Sequence, residues 1–115
     1  MIPIEIDRVQ NALDTLVNTD LYIHLETTNG AYTKNAASAF IRNARVRFSQ
    51  GRIKGNGPYR VGLKMADGWV FAEGLTDWQP LDEQGRLLLA GHDPEGKLTV
   101  ALQLSPEPFS AHRMC

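Results

Sequence analysis

A chain of 115 residues, 43% hydrophobic and 22% charged, has the size and make-up of one ordinary globular domain with a single core. No apolar run approaches the roughly 18 residues of a membrane-spanning helix, and the N-terminus MIPIEIDRVQ carries acids where an export signal needs a basic start, so a soluble cytoplasmic protein is expected. The single cysteine, Cys115, excludes an internal disulfide and a cysteine-built metal cage.

The predicted elements follow in chain order. Ile6, Val9, Leu13, Leu16 and Val17 recur at helical spacing within residues 3–17, with Glu5 and Asp7 where the helix dipole favours negative charge. Asn18-Thr19-Asp20 ends this helix, and LYIHLET then alternates Leu21, Ile23 and Leu25 against Tyr22, His24 and Glu26, as a half-buried strand does. Asn29-Gly30 signals a turn, with a short strand near Ala31 to Thr33. From Ala39 to Ser49 another strand places Phe40, Ala44, Val46 and Phe48 on its apolar face; Arg42 falls on that same parity, which points to a bulge there.

Short strands follow at Arg52 to Gly55, Tyr59 to Met65 and Trp69 to Glu73, divided by Asn56-Gly57-Pro58 and Ala66-Asp67-Gly68, the second and third forming a hairpin. RLLLAG and KLTVALQLS flank the turn Asp93-Pro94-Glu95-Gly96 as a second hairpin, with Leu98, Val100, Leu102 and Leu104 on one face. The tail, residues 110–115, has no periodicity and is expected to fray. Seven or eight strands between residues 21 and 105, one N-terminal α-helix and no βαβ alternation predict a single, mainly β domain over residues 1–115. Its form is a small antiparallel, multi-sheet sandwich, prism-like or barrel-like.

The net charge is −1, but between Thr27 and Ala66 lie eight bases (Lys34, Arg42, Arg45, Arg47, Arg52, Lys54, Arg60 and Lys64) and no acid. All thirteen acids lie outside that segment, with only four bases beside them. Two readings stay open: the basic strands pair with acidic ones inside the fold, or they form a surface for a carboxylate, a phosphate or an acidic partner. The candidate contact residues are Arg42, Arg45, Arg47, Lys54, Asn56, Tyr59, Arg60 and Lys64.

The glycines of the same region do not make a known phosphate loop. Gly55-Asn56-Gly57-Pro58-Tyr59-Arg60 opens like a dinucleotide fingerprint, but its sixth position is Arg and a strand follows instead of a helix. Glycines that let strands bend, with backbone N–H groups near Lys54, Asn56 and Arg60 free for an anion, are the two readings that remain. His24 and Glu26 share one face of their strand and His92-Asp93 stands at the last hairpin, so these three (His24, Glu26, His92) are candidates for a metal or for acid–base work. With no nucleophile or oxyanion device, non-catalytic binding without cofactor or metal is the expectation. Arginines beside Tyr59 and Trp69 have the mixture used for single-stranded nucleic acid, but the near-neutral overall charge argues against it, and Trp69, Phe71 and Trp78 are assigned to the core.

Residues Tyr22-Ile23-His24-Leu25-Glu26-Thr27, Ile41-Arg42-Asn43-Ala44, the run from Ile53 to Lys64, Ala72-Glu73-Gly74-Leu75 and Gly91-His92, in this order over about residues 20–109, resemble the YojF family of Bacillus-type bacteria. The twelve-residue run, IKGNGPYRVGLK, is the specific part. The resemblance implies a small, mainly β fold of several sheets with features of a sandwich and a prism. It also implies a gene neighbourhood shared with a zinc-dependent, LmbE-like N-acetylglucosamine deacetylase of bacillithiol biosynthesis, whose substrate carries a malate group. The family has no established catalytic residues, so none carries over. An accessory protein for that deacetylase is therefore the leading expectation, followed by a stand-alone binder of a small anionic or sugar-containing ligand and then by a His/Glu-based enzyme. A homodimer through an exposed sheet edge is also expected.

Overall fold

The computed structural model describes residues 1–28 and 38–110. The expected Asn29-Gly30 turn, the strand near Ala31 to Thr33, Lys34 and the tail from residue 111 to Cys115 lie outside them. In chain order the elements are β1 (Ile2–Pro3), α1 (Ile6–Thr15), β2 (Leu21–Thr28), β3 (Ser38–Val46), β4 (Gln50–Gly55), β5 (Tyr59–Lys64), β6 (Trp69–Leu75), β7 (Asp77–Gln79), β8 (Leu87–His92) and β9 (Leu98–Ser105). They build two antiparallel sheets, a six-stranded one ordered β1-β7-β8-β9-β2-β3 and a three-stranded one ordered β4-β5-β6. Neither closes into a barrel, so the architecture is a small open sandwich with one N-terminal helix.

The core lies between the two sheets and the helix. α1 packs on β4, and β6 packs on β8 and β9. Val9 and Leu13 of α1, Phe48, Val61 and Leu63 from the three-stranded side, and Leu21, Leu87, Leu89, Leu102 and Leu104 from the larger sheet are all withdrawn from solvent. This is the period-3.6 and period-2 apolar patterning of the sequence realised in packing.

The helix is shorter than its apolar spacing predicts. Ile2 and Pro3 pair with Trp78 and Asp77 instead, Ile4 N–H donates to the Thr76 carbonyl (3.1 Å), and Glu5 holds an extended conformation ahead of the first turn. β1 and β7 were not predicted; both are too short to carry a pattern. At the other end Leu16 N–H bonds back to Leu13, and Asn18, with φ 58°, turns the chain toward Phe48. The Gln10 side chain then completes the open edge of β4, donating to the Gly51 carbonyl (2.8 Å) and accepting from Ile53 N–H (3.1 Å), as a neighbouring strand would.

The bulge of β3 lies one residue from its expected place. Ile23 pairs with Ala44 but His24 pairs with Arg42, leaving Asn43 as the extra residue in the left-handed conformation (φ 62°). One inserted residue reverses the parity of everything before it. Val46 therefore faces the core, whereas Arg42 and Phe40 emerge beside His24 and Glu26 on the outer face. Phe40, assigned to the apolar face from sequence, is about half exposed for this reason. Leu98, at the open end of β9, is also more exposed than its alternation implies.

Candidate functional site

Alternation along β4, β5 and β6 sends Ile53, Val61, Leu63 and Ala72 inward and a different set outward. The outward residues stand in transverse rows: Gln50, Lys64 and Trp69; Arg52, Gly62 and Phe71; Lys54 and Arg60. Trp69 and Phe71 were expected in the core. They stand instead on this outer face, 48% and 47% exposed, with rings parallel to within 5° and centroids 5.3 Å apart. Gly62 makes room for them, since a Cβ there would come within 2.8 Å of the Phe71 ring. The Arg60 guanidinium lies over Phe71, 4.3 Å from its centroid, and pairs with Glu73 at 3.0 Å. Arg52, Lys54 and Lys64 face no carboxylate within ion-pair range among the described residues.

A groove of about 170 Å³ runs over Gly62 between the two walls, with Arg52, Lys54 and Arg60 supplying positive charge and Trp69 and Phe71 an apolar side. Arg52 is aimed by Gln50, whose amide oxygen, in the orientation that satisfies both side chains, accepts from Nε and Nη2 at 2.9 and 2.7 Å. Such a face combines Coulombic attraction for an anion with stacking or C–H contact.

Three other bases of the acid-free segment, Arg42, Arg45 and Arg47, are used elsewhere. Arg45 and Arg47 converge on Asp20 at 3.5 and 3.3 Å, so for these two the acidic part of the same chain is the partner. Arg42 belongs to a polar cleft of about 640 Å³ on the outer face of the six-stranded sheet. There it donates from Nη1 to His24 Nδ1 (3.1 Å) and from Nε and Nη2 to the Ser110 carbonyl (3.1 and 2.9 Å). Guanidinium nitrogens only donate, so His24 Nδ1 accepts, and the ring proton sits on Nε2 and points to Glu26 Oε1 at 3.0 Å. Both ring nitrogens are thereby engaged by protein partners.

A family model described as "Protein of unknown function (DUF1806)" matches residues 3–109. The chain is 53% identical over 108 residues, covering 89% of itself and 92% of the relative, to the "Uncharacterized protein YojF" of Bacillus subtilis (strain 168). The chain belongs to the YojF family. The crystal structure of the Bacillus subtilis YojF protein superposes with a TM-score of 0.81 at 50% identity, covering 95% of this chain and 96% of that one. The fold expected from the YojF resemblance is the fold observed. The relatives are uncharacterised by their own descriptions, so membership in the YojF family brings no activity with it.

The other residues singled out from sequence are now placed. Tyr59 packs half-buried against the core and takes no part in the outer face, because its parity is that of Val61 and Leu63. Asn56 sits in the exposed turn between β4 and β5, outside the groove lining. His24 and His92 do not meet: their partners on β9 are Gln103 and Leu98, about 16 Å apart at the rise of a strand. His92 Nδ1 instead lies 3.2 Å from Asp77 Oδ1, whose carboxyl is held below its ordinary value by the Thr76 hydroxyl and then by His92, against the opposing effect of burial. No group of three or more His, Cys, Asp or Glu side chains suited to a metal occurs among the described residues. Sequence reasoning missed Gln79 and Gln103 of the cleft and the exposure of Trp69 and Phe71. For the rings a signal existed in Gly62, a glycine midway along a central strand.

Proposed function

We propose that this YojF-family chain is a non-catalytic accessory protein that works by binding, with the outer face of the three-stranded sheet as its contact surface for an anionic partner. The observation that supports this is the grouping of Arg52, Lys54, Arg60 and Lys64 around an exposed Trp69–Phe71 stack, with Arg60–Glu73 as the one ion pair of the group among the described residues. Exposed aromatic rings ringed by like charges are the composition of an interaction surface, with rings as anchors and charges setting encounter rate and orientation. The family resemblance directs the choice of partner to the LmbE-like, zinc-dependent deacetylase of bacillithiol biosynthesis, in the cytoplasm. A homodimer, if formed, would use the open edge of β3, which carries exposed Phe40 and Ile41. The test is co-purification with an LmbE-like deacetylase of the same organism. Association that survives gel filtration and is lost in the double variant Arg52→Glu/Lys54→Glu is the expected result; no association, or association indifferent to that variant, overturns it.

The groove itself favours a second reading, a stand-alone binder of a small anionic or sugar-containing ligand, because it sets a cationic wall against an aromatic one across a single glycine. Calorimetry with L-malate and with a neutral diol of the same size separates the readings: preference for malate without any effect of the deacetylase supports the second.

A further inference from the structure

The cleft on the six-stranded sheet is built from a different chemistry than the cationic face. Gln79, Leu88, Gln103, His24 and Arg42 stand opposite one another in one transverse row across β7, β8, β9, β2 and β3. Glu26 and Ser105 adjoin the row, and the segment from Glu107 to Ser110 forms one wall. The wall is fixed: Asn43 Nδ2 donates to the Phe109 carbonyl (2.9 Å), Phe109 N–H donates to Asn43 Oδ1 (2.7 Å), and Arg42 stacks on the Phe109 ring. At about 640 Å³ the cleft lies within the range of small-molecule sites.

Its polar groups divide into those already occupied and those that are not. Both arginines are occupied, Arg42 by His24 and the Ser110 carbonyl and Arg86 by Asp82 (2.8 Å) and Gln84. Arg86 is neutralised by Asp82, and Arg42, whose bonds go to neutral acceptors, shares the cleft with the carboxylates of Glu26 and Glu107, so the site offers an anion no net positive charge. Among the described residues the amides of Gln79 and Gln103 have no hydrogen-bond partner, and Glu26, which accepts from His24 Nε2 through Oε1, and Glu107 pair with no Lys or Arg, so carboxylate lone pairs stay open to a ligand. Planar amides and carboxylates match adjacent hydroxyls, each of which both donates and accepts, while half-buried Leu88 and Phe109 offer surface to C–H groups. An apolar occupant would leave Gln103 desolvated and unpaired, which costs more than the burial returns.

We infer that this cleft binds a neutral, polyhydroxylated small molecule of about monosaccharide size, through Gln79, Gln103 and Glu26, separately from the partner surface proposed above. The test is an NMR titration of the full chain, following side-chain amide signals, with glucose, galactose, mannose and myo-inositol in turn, and with putrescine and cyclohexanecarboxylate as cationic and anionic probes. Saturable shifts of the Gln79 and Gln103 amides with at least one polyol, weakened about tenfold by Gln103→Leu and unchanged by Arg52→Glu, are expected. Gln79→Ala serves the same purpose if Gln103→Leu does not fold. No saturable shift with any of the four polyols, tighter binding of either charged probe, or polyol binding indifferent to both glutamine variants overturns the inference.

Discussion

Asn43 and Phe109, 66 positions apart, exchange two hydrogen bonds, side-chain amide to backbone in both directions, at 2.9 and 2.7 Å. The same Asn43 is the bulge of β3, with φ 62°, so one residue reverses the strand's parity and docks the chain's end. Gln10 does the equivalent for β4. In each case an amide presents the donor and acceptor of a peptide group and stands in for a missing strand.

Asn43→Ala removes both bonds and puts a side chain that avoids the left-handed region into it. A loss of about 1–3 kcal/mol in urea denaturation is expected, with faster hydrogen exchange at the Phe109 amide. Asn43→Gly keeps the conformation and loses only the bonds, so its cost should be smaller. Equal costs for the two would show that the backbone conformation contributes nothing.

The hairpins β5-β6 and β8-β9 and the helix were legible because each carries its own period. The parity of Phe40 and Arg42 was not, since a bulge made by Asn43 changes no apolar residue and leaves only a misplaced arginine as its trace. The charge segregation was visible, but its allocation depends on long-range register: nothing local says that Asp20 takes Arg45 and Arg47 while Lys54 faces Arg60. Trp69 and Phe71 have the residue types of a core. Only the position of Gly62 across from them marks the side of the sheet on which they stand.

Gly62→Ala tests the groove without touching a charge. Its Cβ would meet the Phe71 ring at 2.8 Å, and because that ring is about half exposed it can swing aside. Urea stability should change by less than about 1 kcal/mol, while the Trp69 fluorescence spectrum shifts and partner or ligand binding at this face weakens. A large loss of stability with binding intact would place the rings in a structural role.

Gln10→Ala strips both surrogate bonds from β4 and leaves Ile53 N–H and the Gly51 carbonyl at an open edge. The expected cost is about 1–2 kcal/mol in urea denaturation, with increased exchange at the Ile53 amide. Exchange as slow as in the parent chain would mean that the edge is protected by packing of α1 alone.

Asp82 supplies the clearest acid dependence. Its carboxylate accepts from the backbone N–H of Arg86, from the Arg86 side chain and from Gln84 N–H, which together hold its pKa below the ordinary 3.8 against the raising effect of burial. A carboxyl that titrates lower folded than unfolded stabilises fully above the unfolded value, and that stability is lost as pH falls through the folded one. Urea midpoints of the parent chain should therefore drop below about pH 3.8, and Asp82→Asn should flatten that acid limb while lowering the midpoint at neutral pH. An unchanged acid limb would assign the pH dependence to Asp77, the other carboxyl held below its ordinary value.

Lys54 and Arg60 face each other directly across β4 and β5, a like-charge pair that a sheet bears at a cost. Glu73 relieves Arg60 alone. Replacing Lys54 with Glu turns repulsion into a cross-strand ion pair, so Lys54→Glu should raise the stability of the isolated chain by about 0.2–1 kcal/mol. Salt should shrink the gain, because the pair is exposed. The same change removes a cation from the groove wall and should weaken an anionic partner or ligand. Stability and binding moving in opposite directions is the outcome that ties this repulsion to a charge supplied from outside the fold. If Lys54→Glu left binding at this face unchanged, the pair would be an uncompensated feature of the sheet, and the site would have to rest on Arg52 and Lys64.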